Sequence, residues 1–240
     1  MKQVAILVCA YNEEQYLPRA LTAINKQTVG NDVYDVIVVD NASTDKTAEI
    51  AREFGAIVVR ESRKGIPFAM KAGCDYAHRL GYEIVAQTDA DSEVSLRWLE
   101  VALAGLKQKG DLVVGVTGMI LFYDVPEILN IVVKGLYSLM ISTNKLMGGF
   151  VQFTGSNMAF KLEPFANAGG VDIRFLISAD VELSKRMIKY GRIEYLSKMI
   201  VRVSPRRFRK QPLRALFLYI VSFFAVLRNR PTKMELDDIR

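Results

Sequence analysis

Short apolar runs rich in β-branched residues alternate with amphipathic helical runs through the first half of the chain, and this pattern limits the possible folds more than any other feature. The pattern predicts strands over Val4–Cys9, Val36–Val39, Ile57–Val59 and Ile84–Ala86, with helices over Glu13–Gln27, Thr44–Phe54 and Ile66–Leu80 between them. Leu17, Ala20, Leu21 and Ile24 keep helical spacing, and Pro18 falls where a first turn tolerates it. Ser43 and Thr44 supply a start signal ahead of Thr47-Ala48. Strand–helix–strand alternation implies crossover units, hence an α/β fold with a mostly parallel sheet flanked by helices. Leu112–Val116 and Met158–Phe160 read as further strands. Val125–Met147 reads as a long helix whose apolar residues (Ile128, Leu129, Ile131, Val132, Val133, Leu136, Leu139, Met140) cover more than one face. Core packing and a membrane-facing helix both fit that stretch. The expected organisation is one α/β domain over residues 1–210 and a basic, apolar helical extension over residues 211–240.

Composition narrows the chemistry. With 240 residues, half of them hydrophobic, the chain can bury a core without staples. Cys9 and Cys74 are the only cysteines and His78 the only histidine. A disulfide framework, a zinc cluster and a histidine-based nucleophile triad are therefore set aside, and a reduced intracellular protein is expected. The net charge of +6 is uneven, because ten Lys or Arg and no acid stand between Glu194 and Glu235, which leaves the rest net acidic. Such a basic segment attracts phosphates or an anionic membrane surface. The six apolar residues of Val4–Cys9 are too few for a signal peptide. The longest apolar stretch, residues 215–227, has thirteen residues broken only by Ser222, whereas a spanning helix needs about 20. Its basic flanks suit a helix lying in a membrane interface, with a buried core helix as the alternative.

Ligands of open parallel sheets bind at the carboxyl ends of the strands, and here those ends are acidic. The first strand runs out into Ala10-Tyr11-Asn12-Glu13-Glu14, the second ends at Asp40, and the fourth at Asp89-Ala90-Asp91. A single acid there is commonly a cap or turn residue. Acids on three strand ends repel one another unless a cation or hydrogen-bond donors offset them. Asp89 and Asp91 offer hard oxygen ligands suited to Mg²⁺ or Mn²⁺, ions that often take substrate phosphates as further ligands. Neither a Gly-x-Gly-x-x-Gly run after the first strand nor a P-loop is present, which disfavours dinucleotide dehydrogenases and P-loop NTPases.

Four segments in order resemble the family 2 glycosyltransferases, inverting enzymes of the GT-A fold. They are Ala-Tyr-Asn-Glu-Glu at 10–14, Val-Val-Asp-Asn-Ala-Ser-Thr-Asp at 38–45, Asp-Ala-Asp at 89–91, and Gly-Gly-Val-Asp with Ala-Asp-Val-Glu-Leu at 169–183. The resemblance covers residues 3–207 and implies roles. Ala10, Tyr11, Glu13 and Asp40 would contact the donor nucleotide. Lys71, in a segment from Lys64-Gly65 to Gly73, would lie near its phosphates, although Lys64 replaces the family's usual Asn. Asp89 would face the ribose and metal, and Asp91 would be the principal metal ligand. Asp180 would be the catalytic base, with Ala179 where the family carries a first acid. Arg206 and Arg207, in Ser204-Pro-Arg-Arg-Phe-Arg-Lys, are candidates to close over the diphosphate; a membrane-surface anchor is the competing reading of that segment. The Gln-x-x-Arg-Trp motif of processive synthases is absent, since the single tryptophan is Trp98.

The expected function is metal-dependent transfer of one sugar from a nucleotide-sugar donor to a saccharide or lipid-linked acceptor. The basic, apolar C-terminus suggests peripheral attachment at the cytoplasmic face of the cell membrane. A sugar-phosphate nucleotidyltransferase and a non-catalytic sugar-nucleotide or membrane-binding module are the alternatives. A nucleic-acid partner is not expected, because Phe217, Tyr219, Phe223 and Phe224 lie inside the apolar run and not between the arginines.

Overall fold

The computed structural model describes residues 2–107, 112–148 and 150–206, and beyond these 209, 221, 225, 226, 228 and 231. In chain order the elements are β1 (Val4–Ala10), α1 (Leu17–Asn25), β2 (Tyr34–Asp40), α2 (Thr47–Glu53), β3 (Ile57–Arg60), α3 (Ile66–Arg79), β4 (Ile84–Asp89), β5 (Ser92–Val94), α4 (Trp98–Lys107), β6 (Val113–Phe122), α5 (Glu127–Gly148), β7 (Met158–Lys161), α6 (Leu162–Asn167), α7 (Ala179–Met187) and β8 (Arg192–Val203). The strands form one eight-stranded sheet in the order β3-β2-β1-β4-β7-β6-β8-β5. Pairs β1–β2, β1–β4, β2–β3 and β6–β8 are parallel, whereas β7 and β5 run antiparallel to their neighbours.

The pleat of β1 explains why its sequence is apolar without alternation. Val4, Ile6 and Val8 face Leu17, Leu21 and Ile24 of α1 and Trp98, Leu99 and Leu106 of α4. Ala5 and Leu7 face Ala69, Met70 and Cys74 of α3 and Leu183 and Met187 of α7. A central parallel strand is covered on both faces, so every position is in a core. Gly73 lets α3 come close: a Cβ there would stand 2.2 Å from Leu7 Cδ1.

Several expectations are corrected in detail. α1 begins at Leu17, four residues later than Glu13, because Glu13 and Glu14 are used in the loop joining the β1 and β2 ends. α2 is not started by Ser43 or Thr44: Asp45 Oδ1 accepts from the Thr47 backbone N–H at 3.0 Å. β5, α4 and β8 were not expected from periodicity. β8 keeps Ile193, Met199 and Val201 buried, but its register against β6 jumps between the Gly118–Leu196 and Met119–Ile200 pairs, which breaks the two-residue alternation.

Asn157 holds that irregularity together. Fully buried, it donates from Nδ2 to the carbonyls of Met119 and Met199, each at 2.9 Å, and accepts from Trp98 Nε1 at 2.8 Å. Asn157→Ala would leave two carbonyls and an indole N–H buried without partners. The expected loss is about 3 kcal/mol, measured as a lower urea midpoint at unchanged slope.

α5 resolves the ambiguity of its sequence. Asn130 is buried and clasps the end of β6, accepting from Phe122 N and donating to Phe122 O, and Ile141 is buried on the same side. On the opposite side Ile128, Ile131, Leu136 and Leu139 are 57–68% exposed. The helix is thus core-packed along one stripe and apolar toward solvent along another. No helix among the described residues is long and apolar enough to cross a membrane. The expected C-terminal helix lies outside the described residues, apart from isolated positions. One of these, Val226, is buried, and its carbonyl accepts from Lys185 Nζ of α7 at 2.9 Å.

Candidate active site

Register brings the strand-end acids to one edge. Ala10 pairs with Asp40 and Cys9 with Asp89, so the carboxyl ends of β2, β1 and β4 are level and adjacent. The loops that follow β1 and β2 are zipped reciprocally. Asn12 N donates to Ser43 Oγ at 2.9 Å, and Thr44 N donates to Asn12 Oδ1 at 2.7 Å. Glu13 N donates to Thr47 Oγ1, and Lys46 N to Glu14 Oε2. Asn12 and Ala42 adopt positive φ in these turns. The motif residues between 10 and 47 therefore build a rigid rim out of side-chain-to-backbone bonds.

Within this rim Asp40 is buried and accepts from Ser43 N at 3.0 Å, with Arg60 3.7 Å from its other oxygen. The Tyr11 ring lies 4.1 Å beneath Lys64 Nζ, so the residue that departs from the family pattern stacks on a candidate base contact. Asn41, which sequence reasoning passed over, shapes the opposite wall: it donates to the carbonyls of Glu61 and Arg63 and accepts from Gly65 N at 2.7 Å. Lys71 is placed differently from its neighbours in the motif. It is paired with Asp75 at 2.7 Å along α3, and its side chain is 41% exposed.

Asp89 closes β4 and Asp91 follows two residues later. Ser204 N donates to the Asp91 carbonyl at 3.2 Å, so the unexpected pairing of β5 with β8 delivers the segment after β8 to this acid. Arg206 then turns inward. Its guanidinium pairs with Asp91 Oδ2 at 3.0 Å, hydrogen-bonds Glu13 Oε1, and lies 4.6 Å from the centre of the Tyr16 ring. Burial works to lower the Arg206 pKa, but the Glu13 bond and the Asp91 charge outweigh it and raise it, so the group stays charged. Arg206 is thus turned into the site and not out to solvent. Arg207 lies outside the described residues. Cys9, next to Asp89 in the sheet, is no nucleophile: burial, and then the Asp89 charge, push its thiol far above the ordinary range.

Asp180 sits in the first turn of α7, behind Ser178 as the N-cap residue. Its Oδ1 accepts from Val181 N at 2.9 Å and its Oδ2 from Gly155 N at 2.7 Å. The side chain is part-buried. Desolvation pushes its carboxyl up to about 6, against the opposing pull of those backbone donors. The remainder of the late motif is scaffold. Gly169 and Gly170 adopt positive φ, and Arg186 ties the resulting turn to α7 by bonding the Ala168 and Gly170 carbonyls while pairing with buried Glu182.

The parallel half-sheet, the acidic strand ends and the carboxylate on α7 together are a GT-A-like arrangement. The model of glycosyl transferase family 2 matches residues 5–161, more than half of the chain, and the chain belongs to that family. Over 119 residues it is 32% identical to glycosyltransferase AglE of Haloferax volcanii, covering 47% of this chain and 38% of that protein. Over 112 residues it is 32% identical to a dolichyl-phosphate hexose transferase of the same organism, covering 47% and 46%. The matched segments thus span less than half the length of these relatives. The mannosyltransferase PcManGT of Pyrobaculum calidifontis, solved with GDP-Man and Mn²⁺, superposes with a TM-score of 0.73 at 22% identity, over 96% of this chain and 65% of that one. A glucosyl-3-phosphoglycerate synthase of Mycobacterium tuberculosis, solved with Mn²⁺, UDP and glucosyl-3-phosphoglycerate, gives 0.64 at 17% identity, over 97% and 82%. At these identities the structural likeness establishes the fold.

Proposed function

We propose that the chain is a metal-dependent, inverting transferase of one sugar from a nucleotide-sugar donor to an acceptor hydroxyl or phosphate. The observation that carries this reading is Asp180, a part-buried carboxylate with a carboxyl pushed up to about 6, tied through Gly155 to Gln87 of β4, two residues before Asp89. A base of that strength is ionised at neutral pH and still takes a proton. Asp180 removes the proton from the acceptor oxygen as that oxygen bonds to the anomeric carbon; the bond to the diphosphate oxygen breaks in the same displacement, which inverts the centre. Ala10, Tyr11, Glu13, Asp40 and Asp89 are the donor-facing residues in this reading. Lys71 reaches the phosphates only by leaving Asp75.

Asp91 and Asp89 would hold Mg²⁺ or Mn²⁺. Their hard oxygen chemistry fits, and the draw of Asp91 on a cation is already visible in its pairing with Arg206. When bound, the ion neutralises charge on the departing diphosphate. The structural neighbours solved with Mn²⁺ and GDP-Man or UDP support this choice of cofactor. Arg206 is expected to exchange its carboxylates for diphosphate oxygens. Arg206→Gln should weaken nucleoside diphosphate binding tenfold to a hundredfold, as charge-assisted bonds are worth about 1.5–3 kcal/mol, and should affect a nucleoside monophosphate less. Isothermal titration of both ligands checks it.

A lipid-linked acceptor at the cytoplasmic membrane face is supported by the exposed apolar stripe of α5 and by the likeness to a dolichyl-phosphate hexose transferase. Membership of the transferase family removes the nucleotidyltransferase alternative. The deciding experiment is calorimetric titration with UDP, GDP and CMP, each with Mn²⁺ and again with EDTA. Metal-dependent binding of one nucleotide supports the reading. No binding by folded protein overturns it in favour of a non-catalytic module.

A further inference from the structure

Gln87 is a buried polar residue of β4, the strand between parallel β1 and antiparallel β7. It is 1% exposed, and the pleat of β4 puts it on the same face as Val85 and Asp89. That face packs against Ala179 and Leu183 of α7. Gln87 Nε2 donates to the Gly155 carbonyl at 3.0 Å, and Gly155 N donates in turn to Asp180 Oδ2 at 2.7 Å. Gln87 Oε1 is buried with no hydrogen-bond partner.

We propose that Gln87 is a positioning residue for Asp180: it fixes Gly155 so that its N–H stays on the carboxylate, and thereby ties the base to the strand that ends in Asp89. The inference rests on the reading of Asp180 as the base.

Packing does not account for this residue. A half-satisfied buried amide costs about 1–3 kcal/mol relative to a satisfied one, and methionine would fill similar space among the apolar neighbours without an orphan oxygen. The other bonds of segment 153–155 run elsewhere. Phe153 N donates to Ser184 Oγ of α7, and Thr154 Oγ1 meets Tyr137 OH of α5 at 2.8 Å. Only the Gln87 bond, among those described, links this segment to β4. Of the two backbone donors to Asp180, Val181 N belongs to its own helix, and the Gly155 bond is the one that another element can adjust. Tyr137 faces Asp180 from α5, with Tyr195 of β8 behind that ring. Glu182 of its own helix is occupied by Arg186, and Asp89 stands two residues along β4.

The test is Gln87→Met, with Gln87→Asn as a second variant that keeps the amide but withdraws it by one methylene. Gln87→Met should melt close to the parent, because part-exposed Gly155 can take water at its carbonyl; Gln87→Asn, with its buried amide left unpaired, should melt lower but remain folded. In each, losing a fixed N–H donor to the carboxylate moves the Asp180 titration, followed by carboxyl ¹³C NMR, to higher pH by about half a unit or more. kcat falls about tenfold with the donor KM unchanged, and the acid limb of kcat moves up with the titration. An unmoved Asp180 titration in a folded variant overturns the proposal, as does a change confined to donor KM. If the parent transfers no sugar, the NMR titration still decides the role of Gln87, and only the reading of Asp180 as a base is lost.

Discussion

Asp180→Asn lowers kcat about a thousandfold, within the range for removing a general base, while leaving nucleotide affinity as in the parent. The amide has nearly the shape of the carboxylate but cannot take a proton, so the loss falls on the chemical step and not on donor binding. The variant also carries a stability signature that a dead enzyme need not have. The folded parent holds its Asp180 proton more tightly than the unfolded chain, since the carboxyl is raised from 3.8 to about 6. That contribution is fully present below the unfolded value and is lost as pH rises through about 6. Asparagine has no such loss. Relative to the parent, Asp180→Asn should therefore gain about 2 kcal/mol of stability between pH 4 and pH 8, a figure reduced from the full linkage value because solvent reaches the side chain. Urea melts of both proteins at the two pH values measure it. A variant that keeps substantial kcat would sink the base assignment.

Asp91→Asn abolishes metal-dependent nucleotide binding. A neutral amide is a poor ligand for a hard divalent ion, and the diphosphate then meets the remaining acids without a neutralising charge. In the parent, nucleotide plus Mn²⁺ at a hundred times the dissociation constant raises stability by about 2.7 kcal/mol, and this increment disappears in the variant. Thermal melts with and without ligand read it directly. Without ligand the variant should remain folded, because Arg206 keeps its bond to Glu13 and its contact with Tyr16. Equal ligand stabilisation in both proteins would remove Asp91 from the metal site.

The parallel half of the fold was legible because its signal is local. Val4 to Ala10 and Val36 to Val39 are apolar runs packed in the core, and no tertiary detail is needed to see a strand. The other half was legible only in part: β6, α5 and β7 were expected, and β5, α4 and β8 were not. β8 carries Arg192, Lys198 and Arg202 among its apolar residues and changes register partway, so its periodicity reports neither face cleanly. The helix over 127–148 shows apolar residues on all sides; which stripe enters the core was settled by Asn130 docking on the end of β6. Lys71 and Arg206 looked alike as candidate phosphate ligands. One is spent on a neighbour four residues along its own helix, and the other is carried to Asp91 by the pairing of β5 with β8, strands remote in sequence.

The available chemistry is written in the residues themselves: three acidic strand ends, a carboxylate in the late Ala-Asp-Val-Glu-Leu motif, and no histidine or cysteine cluster to compete with them. Residue type and strand-end position are properties of short segments, and short segments can be read. Which charges meet is a matter of packing, because an ion pair or a bracket such as Gln87–Gly155–Asp180 depends on distances between elements remote in the chain. The protonation of Asp180 belongs to the same category, since it is set by the desolvation and backbone donors that packing places around it.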